Sequence, residues 1–314
     1  MATSTSQVID VAAPTAETFR SRKPRSLWGD AWRQFRRHKL AMFGLVVFSF
    51  FVLACAFGPM VYTRPVNDIN FRERNQTPTL NHLLGTNDRG EDMLARVLHG
   101  GRISLSVGVV AMLIAITVGT SIGALAGYFG GVVDTALMRL TELLLSLPTL
   151  PLLLLIIYLF RDNLRQSIGV EMGTFLMMVV VIGGLRWMSV ARLVRASFLS
   201  IKEKEYMEAA RCIGVPGWRM ILVHMLPNAI SQVIVAASLS IAAAILAEST
   251  LSFLGLGFPS DVPTWGRMLF DAKDVFQFHP HEALFPGMVI FLTVLAINYV
   301  GDGLRDALDP RKSH

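Results

Sequence analysis

Long apolar runs separated by polar stretches form the main pattern of this chain. Six runs are long enough to cross a bilayer as helices, which takes about 20 predominantly apolar residues. These runs cover residues 40–62, 103–128, 132–160, 175–194, 230–256 and 283–300. They predict an all-α membrane protein with six transmembrane helices, because a lipid-exposed helix satisfies its backbone hydrogen bonds internally.

The longest polar, helix-forming stretch between two runs covers residues 203–227, and we call it the knob. Its first part contains good helix formers and ends at Gly214, a natural helix stop. Pro216 then begins a turn, and residues 218–225 can form a second short helix before Pro227 starts the next run. The sequence therefore predicts two short helices joined by a bend.

Charged and aromatic side chains would give the knob a binding surface. Glu208, Arg211, Trp218 and Arg219 fall on its predicted outer side. A rigid aromatic residue beside charges suits docking into the groove of a partner. An ordinary loop at the membrane surface explains the same residues equally well, so physical reasoning leaves both interpretations open.

Two segments precede the first run. Residues 1–26 are polar and rich in Ser, Thr, Ala and Pro, which predicts a disordered tail. In residues 27–39, Trp28, Trp32 and Phe35 recur at helical spacing among basic residues, which predicts an amphipathic helix on the membrane surface. A simple basic flank of the first span is the alternative. The remaining divisions are the first span with its outer loop (40–102), the transmembrane core (103–302) and a polar tail (303–314).

Small residues and prolines shape two of the runs. Gly119, Gly123 and Gly127 form two overlapping GxxxG pairs, which favour close packing against another helix. Pro148 and Pro151 lie inside the third run and predict a kink there.

An acidic cluster in the outer loop has two interpretations. Asp88, Glu91 and Asp92 could hold a metal ion, or they could be solvated charges that include a helix N-cap. We favour the cap and solvated charge, because no further ligand residue stands at a fixed spacing from them.

Another acid, Glu248, lies near the outer end of the fifth run. With Ser249 and Ser252 it could line a path across the membrane and attract a positively charged group of a solute. It could instead form hydrogen bonds that shape the turn after the span. We favour the structural role.

Composition and charge agree with a membrane protein. Only 17% of the 314 residues are charged and the mean hydropathy is +0.50, whereas a soluble chain carries about 25% charged residues. Of the basic residues, 18 lie on the predicted side of the termini and the knob and 10 on the other side, which places the termini and the knob in the cytoplasm. The net charge of +6 therefore requires no nucleic acid partner.

The knob carries the motif of a known family. Glu208-Ala209-Ala210, then Gly214, then Leu226-Pro227 match the EAA motif (EAA-x3-G-x9-I-x-LP) of binding-protein-dependent ABC importer permeases. The general pattern has an aliphatic residue where this chain has His224, and His-x-Leu-Pro-Asn is similar to the dipeptide and oligopeptide branch.

Other segments resemble the second, C-type permease subunit of that branch, and the resemblance covers roughly residues 27–311. They include HLLGTNDRGEDMLARVLHGGRISL, AGYFGG, ARLVRASFLS, ILAESTLSFLGLG, PTWGRML and FLTVLAINYVGDGLRDALDPR. One departure is Asp88-Arg-Gly-Glu-Asp92, where the branch has D-x-x-G-R-D, and it affects only local detail of the outer loop.

The resemblance implies a type I ABC importer permease fold in the cytoplasmic (inner) membrane, with the knob as a coupling helix in a cleft of an ATP-binding subunit. It implies a B-type permease chain, two ATP-binding subunits and an extracytoplasmic solute-binding protein as partners, and membrane lipid around the spans. The chain itself would be no enzyme and hold no cofactor, with ATP and Mg bound in the partner subunits. The residues implied to couple to the ATPase are Glu208, Ala209, Ala210, Gly214, Trp218, Arg219, Leu226 and Pro227. Among them, Glu208 would cap the knob or form a salt bridge within it.

Two other functions compete with this interpretation. A self-sufficient secondary transporter would need ionisable sites near mid-membrane and no partners. A membrane enzyme would need a nucleophile–base pair or a metal cluster at one depth, and the sequence suggests none. The chain has no GxxxxGK[ST] phosphate loop, so any ATP-driven activity would need separate ATP-binding subunits. Substrates implied for the branch are dipeptides, oligopeptides, nickel chelates and glutathione.

Overall fold

The computed structural model describes residues 27–308, in which the chain is almost entirely helical. The predictions for residues 1–26 and for the end of the tail lie outside this range. The helices are α1 Leu27–Arg37, α2 Lys39–Val61, α3 Met93–Phe129, α4 Gly131–Ser146, α5 Thr149–Ile168, α6 Val170–Lys202, α7 Glu205–Cys212, α8 Gly217–Arg219, α9 Leu226–Phe253, α10 Trp265–Ala272 and α11 His281–Leu308. A short 3-10 turn (Phe71–Glu73) and a π-helical segment (Met220–Met225) complete them.

Five continuous helices are long and apolar enough to cross a membrane. They are α2, α3, α6, the continuous Gly217–Phe253 helix and α11. The sixth crossing is broken, because α4 and α5 meet at 87°. The predicted kink in the third run is thus a sharp break, with Pro148 as the N-cap of α5.

The two halves of the broken span reach opposite ends of the bundle. At one end, Arg195 of α6 donates to Asp134 of α4, with 2.6 Å between Nη2 and Oδ2. At the other end, Arg165 of α5 donates to the carbonyl oxygen of Gly257, which follows α9, at 3.0 Å. The pair therefore traverses the bundle, which gives the six predicted crossings.

Within the described residues, α3 and α6 share the most extensive helix–helix contact. A Cβ added at Gly123 would lie 2.5 Å from the carbonyl oxygen of Ala191, and one at Gly119 or Gly127 would also clash with α6. The absence of side chains at these positions lets the two backbones approach. This confirms the close packing predicted from the two GxxxG pairs.

Several helix ends lie beyond the apolar runs. Helix α3 begins at Met93 and α11 continues to Leu308, while the interval 161–174 between two apolar runs contracts to the single residue Gly169 between α5 and α6. Apolar runs mark membrane depth, and the backbone stays helical past them wherever neighbouring elements pack on it. Phe35 of α1 is such a neighbour, because it is buried against the last turns of α11.

Acidic residues of the outer loop form hydrogen bonds and an ion pair that fold the loop onto the start of α3. Asp92 is the N-cap of α3: its Oδ1 accepts from the backbone N–H of Ala95 at 2.9 Å, and its Oδ2 accepts from the hydroxyl of Tyr62 at 2.7 Å. Burial and this second hydrogen bond raise the pKa of Tyr62 to about 12, so Tyr62 stays a donor at neutral pH. Glu91 pairs with the buried Arg96 at 2.8 Å. The predicted N-cap is confirmed, but Glu91 and Asp92 are buried and are not the solvated charges that we expected.

A proline in α2 explains another contact to the bundle. Pro59 has no N–H, so the carbonyl oxygen of Cys55 lacks its usual helical donor. The guanidinium of Arg102 on α3 donates to this oxygen at 2.8 Å and to that of Ala56 at 2.7 Å. Arg102 of α3 therefore supplies the hydrogen-bond donor that Pro59 of α2 lacks.

Candidate functional site: the knob

The first helix of the knob ends in a bend fixed by two backbone hydrogen bonds. The N–H of Val215 donates to the carbonyl of Ala210 at 3.1 Å, and that of Gly214 donates to the carbonyl of Arg211 at 3.0 Å. This pair of bonds is the Schellman motif, which needs a residue with positive φ at its centre. Gly214 supplies it with φ +78°. The predicted bend is confirmed.

The second half of the knob differs from the prediction of a separate short helix. Helix α8, the π-helical segment 220–225 and α9 run on as one helix, Gly217–Phe253. The N–H of Leu226 donates to the carbonyl of Ile221, the wider spacing of a π turn. This turn lies directly before Pro227, which has no N–H to donate. The fifth span therefore extends into the knob without a break.

The inner face of the knob is packed onto the transmembrane helices. Met207 and Ala210 of α7 are buried in one apolar cluster with Met220, Met225 and Phe198. The cluster also includes residues of α3, α6 and α9. The knob and these helices therefore share one close-packed core.

The outer face of the knob is unusually apolar for an exposed surface. Ile213 is 80% exposed, Trp218 is 63% exposed, and Tyr206 is also exposed. The guanidinium of Arg219 lies 5.9 Å from the ring of Trp218. Large apolar side chains beside charges on a rigid surface are typical of a docking site for another protein.

The structure divides the predicted coupling residues between the two faces. Ala210 is buried and Leu226 is half-buried against the inner cluster. The exposed ones are Glu208, Ala209, Gly214, Trp218, Arg219 and Pro227.

Glu208 does not cap or salt-bridge the knob, contrary to expectation. Helix α7 begins after Lys204 with no side-chain cap, and the ion pairs formed within residues 27–308 do not include Glu208. Its carboxylate points to a surface where a basic group of another chain can reach it. The expectation was wrong because it considered only partners within the chain.

Glu248 lies inside the bundle. Its carboxylate accepts hydrogen bonds from Ser252 at 2.8 Å and from Ser104 of α3 at 3.1 Å, with the hydroxyl of Ser249 at 3.5 Å. The hydroxyl of Ser104 also accepts from the backbone N–H of Trp265 in α10, at 3.3 Å. Glu248 thus has a structural role, but its contacts join α3, α9 and α10 and are not made to the turn after the span. A place for Glu248, Ser249 and Ser252 in a translocation path stays a prediction.

The sequence pattern gave no role to Arg186, a basic residue within the fourth apolar run. Its side chain is exposed in the middle of α6 and donates to the carbonyl oxygen of Ala243 at 3.3 Å. The signal was available, because Arg186 lies well inside an apolar run, where a charged side chain is costly and commonly marks a functional site.

Comparison with known proteins agrees with this architecture. Residues 119–314 match the family described as binding-protein-dependent transport system inner membrane component. Residues 26–78 match the N-terminal TM domain of oligopeptide transport permease C.

Curated relatives match over most of their length. The oligopeptide transport system permease protein OppC of Haemophilus influenzae is 39% identical, over 91% of this chain and 89% of its own. The dipeptide transport system permease protein DppC of Alkalihalophilus pseudofirmus is 36% identical, over 91% and 90%. The glutathione transport system permease protein GsiD of Pectobacterium atrosepticum is 36% identical, over 95% of both chains.

These relatives are permease subunits, and neither the secondary transporter nor the membrane enzyme fits them. The motif in the knob, the six crossings and the matches over nine-tenths of the chain agree with one another. The chain belongs to the family of binding-protein-dependent transport system inner membrane components.

Proposed function

We propose that the chain is the transmembrane permease subunit of an ATP-driven importer, and that its knob docks into ATP-binding subunits. The observation that carries this proposal is the outer face of the knob. It combines exposed apolar side chains with the carboxylate of Glu208, and its backbone is held by the Gly214 bend. No helix of the described chain covers this face.

Coupling follows from the way the knob is attached. Its inner face shares a core with α3 and α6, and its second half is the beginning of α9. A displacement of the knob by closing ATP-binding subunits would therefore move these spans as a rigid body. Such movement against a second permease chain opens a path to alternate sides of the membrane.

The partners follow from the same reasoning. The chain lacks a phosphate loop, so ATP and Mg would be bound by two ATP-binding subunits. A second, B-type permease chain would complete the path, and an extracytoplasmic solute-binding protein would deliver the solute. The excess of basic residues on the side of the knob and termini supports a cytoplasmic location for that side. The outer loop would then face the outside.

The solute class is proposed from the relatives. Their names give oligopeptides, dipeptides and glutathione as transported solutes. We propose a di- or oligopeptide for this chain, or a related small solute such as glutathione or a nickel chelate.

Replacement of the exposed tryptophan of the knob tests the docking. In the complex reconstituted with its ATP-binding subunits, Trp218→Ala should lower ATP-dependent uptake about tenfold or more, because buried tryptophans at interfaces contribute roughly 2 kcal/mol or more. The complex should also lose ATP-binding subunits during purification.

Phe50→Ala is the matched control, since Phe50 is as exposed (63%) but lies on α2, away from the knob. It should change neither measurement. Normal uptake and normal subunit retention in the Trp218→Ala complex would show that the knob is not the docking surface.

A further inference from the structure

An exposed arginine lies at the centre of a transmembrane helix. Arg186 is at the midpoint of the 33-residue α6, roughly 24 Å from either end at 1.5 Å per residue. A charged side chain facing lipid at this depth costs about 3 kcal/mol or more. The guanidinium therefore requires a polar environment.

The described chain supplies only part of that environment. Arg186 donates to the carbonyl oxygen of Ala243 at 3.3 Å, and none of the ion pairs within residues 27–308 includes it. The carboxylate of Glu248 on the neighbouring α9 is engaged by Ser104 and Ser252. A guanidinium has five N–H donors, so most of them remain for a group outside this chain.

The surroundings of Arg186 indicate water on its exposed side. At about 100° per residue, Arg186 and the exposed positions that follow it form a face of α6 about 120° wide. These positions are Ser189, Leu193, Ala196 and Ser200, with Arg192 at the far edge of the face. The outward stripe of α2 is different, because it presents the large apolar side chains expected against lipid. That stripe includes Phe43, Val46, Phe50 and Phe57.

We propose that Arg186 binds a carboxylate of the transported solute midway across the membrane. The proposal rests on the proposed function. Oligopeptides, dipeptides and glutathione share free carboxylates, and the planar fork of a guanidinium can bind a carboxylate through two parallel hydrogen bonds. Because Ala243 has a small side chain and belongs to α9, the bound carboxylate would lie beside the junction of α6 and α9.

Cysteine labelling tests whether Arg186 faces water, independently of ATP. In a Cys212→Ser background, Arg186→Cys and Ser189→Cys are treated with a charged, membrane-impermeant methanethiosulfonate in membranes containing the assembled complex. The buried Cys55 can remain. Both positions should react at least about tenfold faster than Phe50→Cys on α2, because only a hydrated thiol ionises and reacts.

Protection from this labelling by an added peptide then tests whether Arg186 binds a carboxylate. Trialanine should slow the labelling of Ser189→Cys, trialanine amide should not, and the protection should disappear when Arg186→Gln is added. Arg186→Lys should keep part of the protection by trialanine. ATP-dependent uptake of trialanine should fall about ten- to a hundredfold in Arg186→Gln, which is the effect of losing hydrogen bonds to a charged group. Arg192→Gln, about 120° around the same helix, should leave uptake within about twofold.

The outcomes separate the two proposals. Absence of ATP-dependent uptake by the unmodified complex would contradict the proposed function, while labelling and protection would still report on Arg186. Slow labelling of both positions, or equal protection by trialanine with and without Arg186, would overturn the carboxylate site. Loss of the second permease chain from the Arg186→Gln complex would also overturn it, since Arg186 would then pair with that chain.

Discussion

At the scale of single residues, Gly214 is constrained by its backbone and not by its neighbours. Its φ of +78° lies in the left-handed region, where L side chains rarely occur. A Cβ added there would meet no atom of the described chain within 4 Å. Any side chain at this position would therefore point to the surface where we propose that the ATP-binding subunit docks.

Gly214→Asp should uncouple transport and leave the chain folded in the membrane. Asp tolerates the left-handed conformation at a cost of about 1 kcal/mol, so the bend should persist. The new carboxylate would add a negative charge to the exposed surface that also carries Glu208. We expect wild-type abundance in the membrane and ATP-dependent uptake reduced at least about tenfold, measured per amount of complex.

Gly131→Asp is the matched control. Gly131 also has a positive φ (+53°) and open space around its Cβ position, but it is the first residue of α4 and not part of the knob. ATP-dependent uptake by the Gly131→Asp complex should stay near that of the wild type. Equal loss of uptake in both variants would mean that backbone strain, and not the docking face, explains the effect.

At the scale of elements, the α3–α6 contact depends on a face of α3 where glycines leave room for α6. The pattern of Gly119, Gly123 and Gly127 predicted such a face, and the structure identifies α6 as its partner. This contact matters for the proposed coupling, because α6 leads directly into the knob at Lys202.

Gly123→Ala should destabilise the bundle. Its Cβ would lie 2.5 Å from the carbonyl oxygen of Ala191, so α3 and α6 must separate. Overpacking of this kind costs about 1–3 kcal/mol, which thermal unfolding of the purified chain in detergent would detect.

Gly184→Ala on α6 makes the same chemical change with open space around the new Cβ. We expect its stability to stay within about 1 kcal/mol of the wild type or to rise, since Ala favours helix more than Gly does. If Gly184→Ala were as damaging as Gly123→Ala, helix propensity and not packing would control stability here.

At the scale of the whole molecule, the two cysteines can report which side of the membrane the knob faces. Cys212 is exposed on α7, whereas Cys55 is buried, and both are free. In the native chain produced without ATP-binding subunits, which would cover the knob, a membrane-impermeant maleimide should therefore label Cys212 in inside-out vesicles at least about tenfold more than in intact cells.

A reversed control checks the assay. Phe278, exposed between α10 and α11, belongs to the opposite end of the bundle. In a Cys212→Ser background, Phe278→Cys should be labelled in intact cells. Labelling of Cys212 in intact cells would place the knob outside and contradict the proposed coupling.

The sequence by itself determined the features that depend on local chemistry. The six crossings follow from apolar run length, the bend from Gly214, and the cap of α3 from Asp92. Each of these depends on residues close together in the chain, and so the pattern is sufficient to predict it.

Only the tertiary structure decided the features that depend on distant segments. The sequence could not show the 87° break between α4 and α5. It also could not show the hydrogen bond from Ser104 to Glu248 or the ion pair of Glu91 with Arg96 in the outer loop. The exposure of Arg186 likewise depends on how α6 and α9 pack. The physical reason is that a buried polar group finds its partner through packing, which spacing along the chain does not specify.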